Sequence, residues 1–274
     1  MADPKKVPLP PLDGFALILG ASSGFGEAAA LKLAEAGSHI IGVHLDRRGT
    51  MPNVERITAK IRDLGREAWF FNVNAADSEK RAEVLGQVSE RLKTRGNGEK
   101  VRVVMHSLAF GTLKAFTNKD PAETLNQKQM EMTLDVMAHS LVYWVQDLFR
   151  LELLRDDARI YAMTSTGSRE IWASYGAVSA AKSALESHCR QLAFELGPRG
   201  ITANAICAGV TDTPALHKIP NAESLQSVAI RKNPSHRLTT PDDVANCIVA
   251  LAQSCTYWLN GNILYVDGGE AHSG

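Results

Sequence analysis

Tyr175 and Lys182 are the two side chains of this sequence best placed to act together. They stand seven residues apart in YGAVSAAKSALESHCRQLAFEL, a stretch rich in Ala, Leu and Glu with no proline before Pro198, which predicts a helix. Seven residues are about two turns, so the phenol and the ammonium share one face, offset by about 10 Å along the axis. A phenol ionises near pH 10, and an ammonium nearby stabilises negative charge on that phenol or on a molecule bound beside it. A tyrosine and a lysine aligned on a solvated face would look the same in isolation, so the reading depends on the rest of the chain.

The first supporting feature is Gly20-Ala21-Ser22-Ser23-Gly24-Phe25-Gly26, which follows an apolar run and opens the helical stretch EAAALKLAEAG. Glycines there let the backbone approach a pyrophosphate, and the free N–H groups and dipole of the helix start favour its charge. A tight strand-to-helix turn could use the same glycines. The position between a first strand and a first helix favours nucleotide binding, with Gly20, Ser22, Ser23, Gly24, Phe25 and Gly26 as its contacts.

The end of the second strand should choose between NADH and NADPH. An acid there would hold the ribose 2′-hydroxyl, whereas arginine accommodates a 2′-phosphate. That position is His44, followed by Asp46, Arg47 and Arg48. His44 cannot serve as the carboxylate and the arginines offer bidentate phosphate contacts, so NADPH is favoured and NADH remains possible through an inward Asp46. Asn72 and Val73, ending the third strand, are placed to border the adenine. Ser107, Leu108 and Ala109 follow His106 at the end of the fourth; a lone histidine there is more often structural, and His106 is given no acid or base role. Gly209, Val210, Thr211 and Thr213 close the site after a later strand, where the threonines could bond a carboxamide or phosphates or simply cap a turn.

The elements that must carry these residues alternate. Short β-rich runs at Phe15 to Leu19, Ser38 to His44, Ala68 to Val73, Val101 to His106, Arg159 to Met163, Ile201 to Ile206 and Ile263 to Val266 are separated by helical patterns. This predicts an α/β fold: one Rossmann-type, doubly wound domain over residues 1–274, with about seven parallel strands and helices on both faces. Pro4, Pro8, Pro10 and Pro11 make an extended lead-in. Residues 211–238 break the rhythm, with a short helical pattern between Pro220 and Pro234, and read as a substrate-binding insertion or lid at a strand's carboxyl end.

The 274 residues carry 30 Lys and Arg against 30 Asp and Glu. No basic surface dominates, which argues against a nucleic-acid binder. The four cysteines show no C-x-x-C and no Cys/His cluster, so neither a disulfide framework nor a metal site is expected. Phe15 to Leu19, the longest apolar run near the start, is far below a membrane span, and Met1 to Pro11 lacks a signal peptide's apolar segment. A soluble, cytoplasmic protein is expected.

From about Leu12 to Gly269 the pattern resembles the short-chain dehydrogenase/reductase family. Gly20, Gly24 and Gly26 match its G-x-x-x-G-x-G turn, and NAICAG (Asn204 to Gly209) and Val266-Asp267-Gly268-Gly269 match later signatures. Ordinary members carry Tyr-x-x-x-Lys, which would put the tyrosine at 178, where this chain has Val178. Met137 stands where the usual catalytic Asn aligns, and HSLAFG replaces the usual Asn-Asn-Ala-Gly motif. Tyr-x6-Lys, the His-Ser run and the absent Asn together resemble the enoyl-acyl-carrier-protein reductase branch, as do GVTDTPALHKIPNAESLQ and NPSHRLTTPDDV.

That resemblance implies reduction of the 2,3 double bond of an enoyl thioester in fatty acid synthesis. Tyr175 would donate to the enolate oxygen, Lys182 would supply the ammonium and hold the nicotinamide ribose, and Ser165, at the ordinary family's serine position, would assist. It further implies a substrate bound to an acyl-carrier protein or coenzyme A, and a homotetramer built on the apolar helices around Leu134 to Leu154 and Ala177 to Leu196. Lys218, Arg231, Lys232 and Arg237 in the lid could face an acidic carrier. The alternatives are an NADP-dependent carbonyl or hydroxysteroid-type oxidoreductase on the same fold, and a catalytically silent dinucleotide sensor.

Overall fold

The computed structural model describes residues 9–273; Pro4 and Pro8 of the expected lead-in lie outside them. Seven strands form one parallel sheet: β1 (Phe15–Leu19), β2 (His39–His44), β3 (Ala68–Asn72), β4 (Val101–His106), β5 (Leu154–Thr164), β6 (Thr202–Ala208) and β7 (Ile263–Val266). Their order is 3-2-1-4-5-6-7, every neighbouring pair parallel. The doubly wound sheet expected from the alternation is what the chain forms. The winding reverses between β1 and β4, so the crevice where ligands bind opens at the carboxyl ends of those strands.

Helices α1 (Gly24–Glu35), α2 (Met51–Asp63) and α8 (Pro241–Leu251) cover one face, and α3 (Ser78–Arg95), α5 (Ser140–Arg150) and α6 (Gly176–Leu196) the other. Two apolar cores result, because strands buried on both faces contribute alternate residues to each. Phe15, Leu17 and Leu19 of β1 enter the α6 side, and Ala16 and Ile18 the α1 side. Local signals bound α3: Asp77 caps it by accepting from the Glu79 and Lys80 N–H groups, and Gly96 closes it in the left-handed region.

Two elements differ from expectation. β5 starts at Leu154, five residues before Arg159. Its first residues, Arg155, Asp156 and Asp157, look like loop, and a register shift against β4, with Asp157 at φ 71°, accommodates them. The helix over the aligned Asn position is not continuous: α4 (Gln127–Leu134) passes into α5 through a π-turn at Asp135–His139. Within the apolar helix expected to give part of its surface to another subunit, Trp144 is a core residue whose Nε1 donates to the Ala75 carbonyl at 2.8 Å. Tyr143 and Phe149 are half-exposed, under the guanidinium groups of Arg81 and Arg199. Among the described residues no helix is long and apolar enough to cross a membrane and no group of His, Cys, Asp or Glu could hold a metal ion. All four cysteines are free thiols.

Candidate active site

Met163 and Thr164, which end β5, and Ser165 just after it meet two side chains of α6 and the tyrosine that precedes that helix. The Met163 carbonyl accepts from Lys182 Nζ at 2.6 Å. Thr164 Oγ1 donates to Glu186 Oε1 at 2.7 Å. Ser165 lies beside the Tyr175 phenol. Burial pushes that phenol above its ordinary value while the serine hydroxyl pulls it down. Ser165 Oγ is buried and completes no hydrogen bond of good geometry, so its relation to the phenol is close approach, not a formed bond. Burial also lowers the Lys182 ammonium to about 8, against the opposing charge of Glu186.

Tyr175 is not inside the helix but immediately before its first turn, at φ −94° and ψ 0°. Its approach is strained: Ser174 has φ 62°, a region that side chains other than Asn and Asp seldom adopt. The ring then fits against Gly167, where a Cβ would lie 2.6 Å from Tyr175 Cε1. Gly176 likewise admits the Phe116 ring, whose Cε1 would be 2.7 Å from an added Cβ.

The glycine turn adjoins this pair. Gly20, at φ 89°, approaches the backbone of Ser107, and a Cβ on Gly26 would overlap the Gly20 carbonyl, 2.8 Å from its carbon. Ser23 is the N-cap of α1 but makes no side-chain cap bond, so the first N–H groups of α1 can meet a diphosphate. Ser23, Gly24, Phe25, Ser107, Leu108, Ala109, Ser165, Tyr175, Lys182, Gly209, Val210, Thr211 and Thr213 all line one cleft. Thr213 packs on Gly24, whereas the Thr211 hydroxyl is engaged with the Gly209 carbonyl at 2.9 Å.

His44, Arg47, Arg48, Asn72 and Val73 do not line that cleft; they lie at or just after the carboxyl ends of β2 and β3, beyond the glycine turn. His44 is buried and its Nδ1 meets Asp46 Oδ2 at 2.9 Å. Burial lowers the His44 pKa, with Asp46 opposing. The Asp46 carboxylate points inward, beside the Ser22 and Thr50 hydroxyls, which with His44 hold it below the ordinary carboxylate range despite burial. Asn72 clamps Asp46 from below: its Oδ1 accepts from the Asp46 N–H at 2.9 Å and its Nδ2 donates to the Asp46 carbonyl at 3.0 Å. Arg47 and Arg48 are exposed.

The opposite wall is apolar. Met137 and Val178, the residues at the aligned Asn and Tyr positions, are buried and converge on Gly111, where an added Cβ would lie 2.8 Å from Met137 Sδ and 2.9 Å from Val178 Cγ2. Behind them His106 Nε2 meets Ser140 Oγ at 2.9 Å, and Ser140 donates to the Val136 carbonyl in the π-turn at 2.9 Å. His106 is fully buried and neutral, held at about 3 by burial and by Lys182.

The segment after β6 forms the expected short helix, α7 (Ala222–Lys232), and Leu216, Lys218, Ile219 and Leu225 from it and the preceding turn line the cleft mouth. Arg237 is paired with Asp243 at 2.6 Å, unlike Lys218, Arg231 and Lys232, for which no ion pair is seen among the described residues. Three participants are unforeseen. Glu270 lines the cleft and accepts from the Val210 N–H at 3.2 Å. Trp172 forms part of the wall. Glu186 had a legible signal, since it follows Lys182 by one helical turn on the same face.

The glycine turn, the switch-point cleft and a tyrosine and lysine at its floor define a nucleotide-dependent oxidoreductase of the short-chain dehydrogenase/reductase class. The chain belongs to the family described as enoyl-(acyl carrier protein) reductase, whose profile matches residues 20–270. It is 26% identical over 272 residues to short chain dehydrogenase/reductase nsrJ of Aspergillus novofumigatus, covering 95% of this chain and 97% of that protein. It is 24% identical over 255 residues to 1-cyclohexenylcarbonyl-CoA reductase of Streptomyces collinus, covering 92% and 85%. Its fold is similar to that of the angucycline C-6 ketoreductase LanV with bound NADP, at a TM-score of 0.80 and 22% identity, covering 96% and 99%.

Proposed function

We propose that the chain reduces the 2,3 double bond of an enoyl thioester carried on acyl-carrier protein or coenzyme A. The observation that carries this reading is the wall of Met137 and Val178 against Gly111. A carbonyl reductase of this fold needs an amide and a tyrosine there to feed a proton to an alkoxide. Neither is present, and the donor that faces the cleft is Tyr175. The 1-cyclohexenylcarbonyl-CoA reductase relative is in keeping with this substrate class.

The bound dinucleotide would supply a hydride to the third carbon of the substrate. Negative charge then develops on the thioester oxygen, and a buried hydroxyl aimed at it is an effective stabiliser because it needs no reorganisation. Tyr175 donates there, and the Lys182 ammonium beneath lowers the cost of that charge. The second carbon gains a proton from solvent, which completes the saturated thioester. Ser165 supports the phenol, and the apolar wall excludes water from the acyl chain.

For the cofactor we propose NADH, in place of the NADPH expected from Arg47 and Arg48. Asn72 fixes the Asp46 backbone, and His44 holds its inward carboxylate beside Ser22. There it can accept from a ribose 2′-hydroxyl and would repel a 2′-phosphate. The half-exposed Tyr143 and Phe149 support a homotetramer through α5 and α6, which sedimentation would test. The deciding assay supplies crotonyl-coenzyme A with each reduced cofactor, follows cofactor oxidation, and identifies butyryl-coenzyme A by mass spectrometry. Turnover of a ketone but not of crotonyl-coenzyme A would overturn the reading in favour of a carbonyl reductase. Cofactor binding with no turnover of either would favour the sensor.

A further inference from the structure

Glu186 is a carboxylate only 7% exposed, deep in α6. A buried carboxylate is costly unless it is bonded and faced by opposite charge. One of its oxygens takes the Thr164 hydroxyl at 2.7 Å, and Lys182, equally buried, stands four residues before it on the same helix face. Lys182 Nζ is in turn held by the carbonyl of Met163, the residue preceding Thr164. Lysine, glutamate and two consecutive residues of β5 therefore form one interlocked unit directly under Ser165 and Tyr175.

We propose that Glu186 is a positioning residue: its carboxylate fixes the carboxyl end of β5 through Thr164 and supplies the buried counter-charge that keeps Lys182 an ammonium within reach of the cofactor ribose. The inference rests on the reading of Lys182 as the cofactor-binding lysine, not on which acceptor is reduced. The other groups facing Lys182 cannot take this part. His106 of β4 is neutral and its proximity works against the ammonium. Cys207 of β6 is a protonated thiol, pushed up to about 12 by burial and then by Glu186. Cys189, farther along α6, is likewise pushed to about 12. Asp267, Arg169 and Glu170 act on Cys207 and not on Lys182. Glu186 is the carboxylate that acts on Lys182 itself.

The test measures binding of NADH and NADPH by fluorescence across pH, with no acceptor substrate. In the wild type, affinity should fall as Lys182 loses its proton, with a midpoint near 8. Glu186→Gln keeps an acceptor for Thr164 but removes the charge, and should move that midpoint down by about one pH unit, a tenfold loss in proton affinity. Glu186→Asp, which restores the charge, should bring the midpoint back towards the wild-type value. A Glu186→Gln profile superimposable on the wild type, or lowered equally at every pH, would overturn the proposal. A flat wild-type profile would overturn the role of Lys182 itself. Failure of crotonyl-coenzyme A reduction would leave this readout untouched.

Discussion

Lys182 donates from Nζ to the Met163 carbonyl at 2.6 Å, so a buried ammonium is tied to the sheet before any ligand arrives. The charge is costly to fold around: burial lowers this lysine to about 8 from its ordinary 10.5. Between those values the unfolded chain binds the extra proton, so the group's adverse effect is full below pH 8 and fades as pH rises towards 10.5. Lys182→Met removes this penalty but leaves the Glu186 carboxylate uncompensated and the Met163 carbonyl without its donor, so the variant's stability relative to the wild type should fall by as much as roughly 3 kcal/mol as pH rises from 8 to 10.5, with turnover abolished at every pH. Paired melting curves for the two proteins at neutral and alkaline pH check it, and a stability difference that does not vary with pH would refute the explanation.

Tyr175→Phe retains the ring against Gly167 and removes only the hydroxyl. Turnover of an enoyl thioester should fall by about 10²-fold or more, with cofactor affinity nearly unchanged. Retention of more than half the wild-type rate, an order-of-magnitude criterion of roughly one-half on the same scale, would show that another donor acts.

Asp46→Ser should remove the charge that disfavours a 2′-phosphate and improve NADPH binding relative to NADH by about tenfold, the scale of one charge-assisted contact. Replacing Arg47 and Arg48 together by Ala should have little effect on NADH. Fluorescence titration with both cofactors separates these outcomes. Equal changes for both cofactors in the Asp46 variant would remove this residue from cofactor choice.

Two glycine replacements should act in opposite directions. An added Cβ at Gly26 meets the Gly20 backbone, which cannot yield without reshaping the phosphate turn; Gly26→Ala should cost about 1 to 3 kcal/mol and abolish cofactor binding. Gly86, inside α3, has nothing within 4 Å of such a Cβ, and Gly86→Ala should stabilise by about 0.5 to 1 kcal/mol. Chemical denaturation measures both.

Arg231 and Lys232 are exposed at the end of α7. If this face docks an acidic carrier, charge reversal at both should raise the Michaelis constant for carrier-bound substrate, chiefly at low salt, and affect the coenzyme A thioester much less. Equal effects on the two substrates would leave the segment as a lid alone.

The sheet was legible because buried parallel strands read as short apolar runs, and a glycine turn between a strand and a helix has few other causes. Tyr175 and Lys182 line one cleft, as their spacing led us to expect, although Tyr175 stands just before the helix rather than on its face. The π-turn at Asp135–His139 was not legible, since its residues differ little in pattern from those of an ordinary helix. Nor was the start of β5, where Arg155, Asp156 and Asp157 mimic a loop. The direction of Asp46 depends on Asn72, 26 residues away, and no local pattern encodes such a contact. Glu186 could have been read from its spacing, one turn after Lys182 on the same face, but its burial could not, because spacing does not show how thickly that face is covered.

The meeting of Met137, Val178 and Gly111 also bears on how such a site can change over time. An asparagine at 137 alone would bury an amide against two apolar neighbours, leaving it unsatisfied at about 1 to 3 kcal/mol. A tyrosine at 178 alone would bring a larger side chain to the point where Val178 and Met137 already crowd Gly111. Each single step towards the ordinary arrangement is therefore penalised, and only a concerted change would be tolerated. The packing of three side-chain positions acts as an epistatic barrier between two lineages of one fold.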